Sequence, residues 1–147
     1  MITEILKEKT SADHLMYVSM KYTKTCDVIL NLIARWKSMI EMCFDVMIKK
    51  MFDEGVIKQM PDSPKQKIEF VRTYLKKHKA IQETIPLYIF FKRVPDLTKT
   101  REGEFRKNVC LKVVEPGKTT EINLEKLKEY SEGLERFISE VKQFLSA

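Results

Sequence analysis

The chain has 147 residues, 44% of them hydrophobic, enough for one domain with a core of its own and no need of disulfide or metal staples. It carries four Gly, five Pro and three Cys, and a formal charge of +6 at pH 7. So few turn formers argue for few, long elements; charges through every apolar stretch exclude a membrane helix, and three cysteines without a CxxC pair exclude a disulfide framework.

Residues 1–9 read as a short, frayed helical turn, and their mixed charges and aliphatics lack the pattern of a signal peptide, so a soluble cytoplasmic protein is expected. A first helix starts near Ser11 or Asp13 and passes through Leu15, Met16, Val18 and Tyr22. An apolar stripe then runs through Val18, Tyr22, Cys26, Ile29, Ile33, Trp36, Ile40, Cys43, Met47 and Met51 at spacings of 3 and 4. This is the rhythm of one helix face. A continuous rod would be roughly 50 Å long, against a radius of gyration of about 15 Å for a domain of this size. Long antiparallel helices shared between subunits, and hence a homodimer, are expected. The two Thr of KYTKTCD and an Asp27 cap offer a break, so residues 11–54 form either one helix or two. Lys49, Lys50 and a left-handed Gly55 close the rod, with Val56 folding over Met51.

Ser63, Pro64 and Gln66 make a capping box for a third helix carrying Ile68, Val71, Tyr74 and Leu75 on one face. The segment IQETIPLYIFFKRV reads as a buried helix beginning around Pro86, with a strand as the alternative. Residues 98–108 are polar and basic. Next, VCLKVV, EPGKT and TEIN resemble two short strands around a Pro-Gly turn. Asn123 caps a last helix whose Leu124, Leu127, Ser131, Leu134, Ile138, Val141 and Leu145 alternate spacings of 3 and 4. Tyr130, Phe137 and Phe144 widen that face. The fold class expected is all-α: an antiparallel bundle of about five helices over a single domain, residues 1–147, with a long helix near 27–54 and a small β-hairpin near 109–122.

No phosphate-binding glycine loop, nucleophile elbow, HExxH pair or calcium loop is present. Glu125, Glu129, Glu132, Glu135 and Glu140 lie opposite the apolar face of the last helix and read as a solvated face. Cys26 and Cys43 fall on the core stripe and read as buried reduced thiols. Two histidines, His14 and His78, are too few for a metal cluster, so no metal or cofactor is expected. Residues 65–107 hold 12 Lys or Arg against 5 Asp or Glu, a net of +7, while the remainder nets −1. Such clustering is the footprint of nucleic-acid contact, or else a solvated Lys-rich surface.

Several of these features come together in one resemblance. The opening ADHLMYVSMKYTKTCDVI, the long apolar helix, the capped third helix and the Arg-rich turn before the final elements resemble the HEPN superfamily, in its uncharacterised archaeal and thermophile-type members. The resemblance implies a dimerising helical bundle, a ribonuclease toxin or a nucleotide-binding partner of a minimal nucleotidyltransferase in a toxin-antitoxin-type pair. It also implies a motif of Arg, four to six residues, then His, acting near the dimer interface on the RNA 2′-hydroxyl and the scissile phosphate. Here Arg101 and EGEFRK lead to Asn108 instead of His. An amide hydrogen-bonds a phosphate or ribose but cannot shuttle a proton near neutral pH. Arg72, TYLKK and His78 match the spacing literally, but a helix would leave two residues six apart some 120° around its axis. The expectation is therefore a HEPN-like dimer that binds RNA or a nucleotide, with a degenerate ribonuclease motif. Arg101, Arg106 and Lys107 contact phosphates, Asn108 a ribose or base, and Lys99 steers. The alternatives are an adaptor dimer for protein contact, with Met16, Met20, Met39, Met42 and Met47 at its interface, and an active HEPN-type ribonuclease using His78.

Overall fold

The structure is a computed structural model and describes residues 2–147. It is mainly helical, with five helices, as expected, and the expected hairpin is part of a three-stranded antiparallel sheet. Helix α1 is built of an α-helical stretch Ile2–His14, a π-helical stretch Leu15–Ser19 and a last turn Met20–Tyr22. The others are α2 (Cys26–Asp53), α3 (Pro64–Tyr74), α4 (Lys79–Arg93) and α5 (Leu124–Ser146). A 3-10 turn, Val94–Asp96, comes after α4 and leads into strands β1 (Thr98–Glu102), β2 (Cys110–Glu115) and β3 (Lys118–Asn123).

Helix α1 begins at Ile2, well before Ser11. Ile5 and Ala12, two turns apart, are buried on one face of it. Glu8 meets Arg35 of α2 at 3.3 Å, and Lys9 meets Glu135 of α5 at 2.7 Å. Tertiary contact thus orders a segment whose sequence alone suggests fraying. The long rod is two helices. Residues 23–25 turn the chain, and the cap of α2 is Thr25, whose Oγ1 accepts from Val28 N at 3.3 Å, not Asp27. The rod folds back within one chain, so the stripe no longer argues for a dimer.

From Cys26 to Met51 all eight stripe residues are 3% exposed or less. Each large aliphatic among them stabilises the fold by roughly 1.5–3 kcal/mol through burial. Val18 and Tyr22, by contrast, are 41% and 77% exposed. The π-helical stretch explains the reversal: its extra residue per turn rotates the remainder of α1 by about a hundred degrees, and Met20 takes the inward place. Helix α2 closes as expected. Gly55 has φ +75°, its N–H donates to Phe52 O at 3.1 Å, and Val56 N donates to Met51 O at 2.9 Å. Val56 itself stays exposed and Ile57 is buried instead.

Ser63 Oγ accepts from Gln66 N at 3.1 Å, and Gln66 Oε1 accepts in return from Asp62 N at 2.8 Å, one residue before the box expects. Helix α4 starts at Lys79, not at Pro86, which lies inside it. Its start is fixed from a distance: Glu140 of α5 accepts from Ile81 N at 3.1 Å, and Gln82 Nε2 donates to Val71 O and Leu75 O of α3. In the core, Trp36 of α2 stacks on Phe91 of α4 and meets Tyr130 of α5 edge-on, while Phe44 meets Tyr88 and Phe137 in the same way.

Strands β2 and β3 form the expected hairpin through Pro116 and Gly117. Strand β1 is an addition to the expected hairpin: TKTRE, polar and basic by its sequence, pairs with β2 with Lys99 opposite Val113 and Arg101 opposite Leu111. Leu111, Val113 and Ile122 are buried against the helices. Residues directly opposite share a face, so Lys99 and Arg101 lie on the helix-facing side of the sheet, at its edge, where Lys99 is half-buried and Arg101 exposed. On the outer face Lys112 joins Glu102 at 3.0 Å and Glu121 at 3.6 Å. Among the described residues no helix is long and apolar enough to cross a membrane.

Candidate nucleic-acid interface

The segment singled out by the sequence, residues 101–108, ends β1 and forms the turn into β2. That turn is docked on the turn between α1 and α2. Phe105 N donates to Lys24 O at 2.6 Å, and Glu104 Oε2 accepts from Cys26 N at 3.2 Å. Arg101 Nη1 meets Asp27 Oδ1 at 2.7 Å and Glu104 Oε1 at 3.9 Å. Both carboxylates lie at the first turn of α2, where backbone N–H groups lack helical partners and the helix dipole favours negative charge. The Asp27 carboxylate in turn favours the charged guanidinium of Arg101, pushing its pKa further up.

Two backbone positions define the turn. Gly103 has φ +65°, and a Cβ there would lie 2.6 Å from Asn108 O and 2.9 Å from Asn108 Oδ1. Only glycine lets these strands close. Phe105 is the one non-glycine residue with positive φ among the described residues, at +67°. That conformation costs an L residue roughly 1–2 kcal/mol, and the bulky side chain it displays is 74% exposed.

The five predicted residues divide. Lys99 donates to Val94 O at 2.8 Å, Pro95 O at 3.1 Å and Leu97 O at 2.8 Å, so all three of its protons are spent pinning the 3-10 turn. Arg101 is taken up by Asp27. Arg106, Lys107 and Asn108 are exposed on the turn, and among the described residues neither cation has a carboxylate partner. Lys107 and Asn108 border a cleft of about 460 Å³ that also holds Glu102, Glu121 and Glu125, so the sheet side of the turn is acidic; on its other side the turn is docked on the segment that ends α1.

That side is completed by residues outside the basic third. Lys24 lies at the docking hydrogen bond, and its Nζ donates to Lys21 O at 2.6 Å. Lys21 Nζ stands 5.8 Å from the ring centre of Tyr22. Tyr22 and Phe105 are the two most exposed large apolar side chains among the described residues. The sequence signal for this side is the cation-aromatic run KYTK, which the apolar stripe masks by assigning Tyr22 to the core.

The rest of the basic third is elsewhere. Lys76, Lys77 and Lys79 flank His78, whose ring packs edge-on against Phe144 at 5.8 Å, and Phe144 lies 4.9 Å from Lys50 Nζ. Asp27 and Lys50 are 23 residues apart in α2, or about 35 Å. The lysines around His78 and the cations of the 101–108 segment therefore lie at opposite ends of α2. Arg72 and His78 do not share a helix, since α3 ends at Tyr74, so the angular argument against them lapses. Neither are they joined: Arg72 pairs with Glu69 at 2.7 Å and His78 packs on Phe144.

Burial first, and in Cys26 also the nearby Glu104, pushes the Cys26 thiol up to about 11; burial pushes Cys43 up to about 12. All three cysteines are free and buried. Among the described residues no three His, Cys, Asp or Glu side chains converge on a metal position. A wider groove of about 660 Å³ between α4, β3 and α5 mixes Lys118 and Lys126 with Glu121, Glu125 and Glu129, and selects neither sign of charge. No family model matches the chain, and no curated protein or solved structure matches it.

Proposed function

We propose that the protein is a HEPN-like helical protein that binds RNA or a nucleotide, with the Arg101 to Asn108 segment as a degenerate ribonuclease motif. The observation that carries this is the docked turn: the segment with the unpaired Arg106 and Lys107, ending at Asn108, is tied by Phe105 N to Lys24 O, the carbonyl of a second basic segment that also holds Lys21. Cations free of carboxylate partners are the ones that neutralise phosphates and release counterions. Asn108 supplies hydrogen bonds to a ribose or base and no proton transfer. Arg101, held by Asp27, positions the turn and contributes less to phosphate contact than Arg106. A homodimer, a nucleotidyltransferase partner and a toxin-antitoxin-type role belong to the same proposal.

A salt titration against labelled single-stranded and hairpin RNA tests it. Binding with a steep salt dependence and intact RNA is expected. The double variant Arg106→Ala, Lys107→Ala should flatten the slope of log affinity against log salt by about 1.4, at about 0.7 for each lost contact on a single strand. An unchanged slope, or no binding at low salt, sinks the assignment. RNA cleavage lost in His78→Ala would instead revive the nuclease reading.

Exposed Tyr17 and Val18 on α1 favour a second reading, an adaptor for protein contact. It requires a protein partner whose binding is lost in Tyr17→Ala, together with no salt-dependent affinity for RNA.

A further inference from the structure

We propose that Tyr22 and Phe105 form a stacking platform for unpaired bases, so that the ligand class is single-stranded RNA and not duplex. This rests on the RNA-binding reading above and specifies what that site selects.

The two aromatics come from segments more than eighty positions apart, yet the hydrogen bond from Phe105 N to Lys24 O brings them together. Two residues of chain and that bond separate their Cα atoms, at most about 14 Å, a span of two to three nucleotides of an extended strand. Among the described residues neither ring packs on another ring or enters the core; the contact of Tyr22 is the solvent-side Lys21 Nζ, 5.8 Å from its ring centre. Both stand clear of the core, and Phe105 is held in the left-handed conformation that asparagine or glycine adopts with less strain. A large aromatic kept at such a position, in the open, points from the outlier to function.

The surroundings choose the partner. In sequence, Lys21 and Lys24 flank Tyr22, and Arg106 and Lys107 directly follow Phe105. Cations between aromatic faces suit a strand that alternates phosphates with bases, each base offering a π-face whatever its identity. A duplex keeps its bases stacked inside and meets the cations alone. A bilayer needs a continuous apolar face, which two rings separated by lysines do not make.

The test compares a short labelled single-stranded RNA with the same sequence as a blunt duplex, at fixed salt. Phe105→Asn tolerates the left-handed backbone and Tyr22→Ala leaves a helix former at the end of α1, so both should keep the melting temperature. Each should weaken single-strand affinity about tenfold, in the range of one lost base–aromatic stack, leaving duplex affinity and the salt slope unchanged. Phe105→Trp and Tyr22→Trp should restore it. Salt-dependent binding that both variants leave intact, or weaken equally for strand and duplex, overturns the platform while the RNA-binding reading survives. No binding of either RNA by the unaltered protein removes both.

Discussion

The two basic turns of this protein look alike in sequence and differ in the fold. The turn at residues 76–79 has Lys76, Lys77 and Lys79 around a histidine and serves to join α3 to α4, its backbone and aromatic contacts all directed inward to Leu75 and Phe144. The turn at residues 103–109 has only Arg106 and Lys107, but it is docked on a second basic turn and displays an aromatic at a strained position. Counting charges along the chain ranks the first turn higher. What separates them is which cations lie beside other cations and rings after folding.

The largest expected effect comes from undoing the docking. Gly103→Ala puts a Cβ against Asn108 and forces a left-handed alanine, costing about 2 kcal/mol and roughly 4–8 °C in melting temperature. Cys26 lies beneath the docked turn and Cys43 in the middle of α2, so their thiols report the two regions separately. A thiol reagent at pH 8 should reach Cys26 faster in the variant and leave Cys43 protected. Equal protection of both, with an unchanged melting temperature, would show that the turn stands without Gly103. The same thiol sets an alkaline limit on the intact protein. The folded state holds the Cys26 proton up to about 11, while an unfolded thiol gives it up near 9.0. The contribution is therefore full below pH 9 and is lost between the two values.

Local signals made much of the helical body legible. Asn123 caps α5, Ser63 caps α3, Gly55 ends α2, and the α2 stripe is buried from Cys26 onward, because each depends on residues within a turn or two of the chain. The misses have remote causes. Strand β1 has no apolar alternation and exists through its register with β2. The start of α4 depends on Glu140, 59 residues away. The π-helical shift in α1 turns Tyr22 outward, against a stripe that continues past it. At the candidate site the sequence pointed to Arg106, Lys107 and Asn108, which are exposed together. It could not show that Lys99 is held by the carbonyls of Val94, Pro95 and Leu97 and Arg101 by Asp27, nor that Lys21 and Lys24 come across from another segment.

A smaller effect is expected at the far turn. Glu140→Ala removes the carboxylate from Ile81 N and leaves an orphan donor in the first turn of α4. The loss should be about 1 kcal/mol, the usual cost of a helix N-cap. It should leave the RNA salt slope unchanged, because the end of α2 on which the Arg106 turn docks lies about 35 Å from the end near α4's start. A slope that fell with Glu140→Ala would mean the two ends are coupled.

The smallest effect discriminates most sharply between charge count and arrangement. Replacing Lys76, Lys77 and Lys79 by Ala removes more positive charge than the pair Arg106 and Lys107 carries. All three lysines are exposed, and the one ion pair among them, Lys79 with Glu83 at 3.8 Å, lies on the surface. Such pairs contribute about 0–1 kcal/mol, so stability should barely move. If binding depends on net charge, this triple variant weakens RNA affinity more than the double variant does. If it depends on the docked turn, the triple variant binds nearly as the unaltered protein does, with a parallel salt dependence. Its charges lie several Debye lengths, of about 8 Å each at physiological salt, from the strand. Measuring both variants in one salt series separates the two, and a larger loss in the triple variant would move the interface to the α3–α4 end.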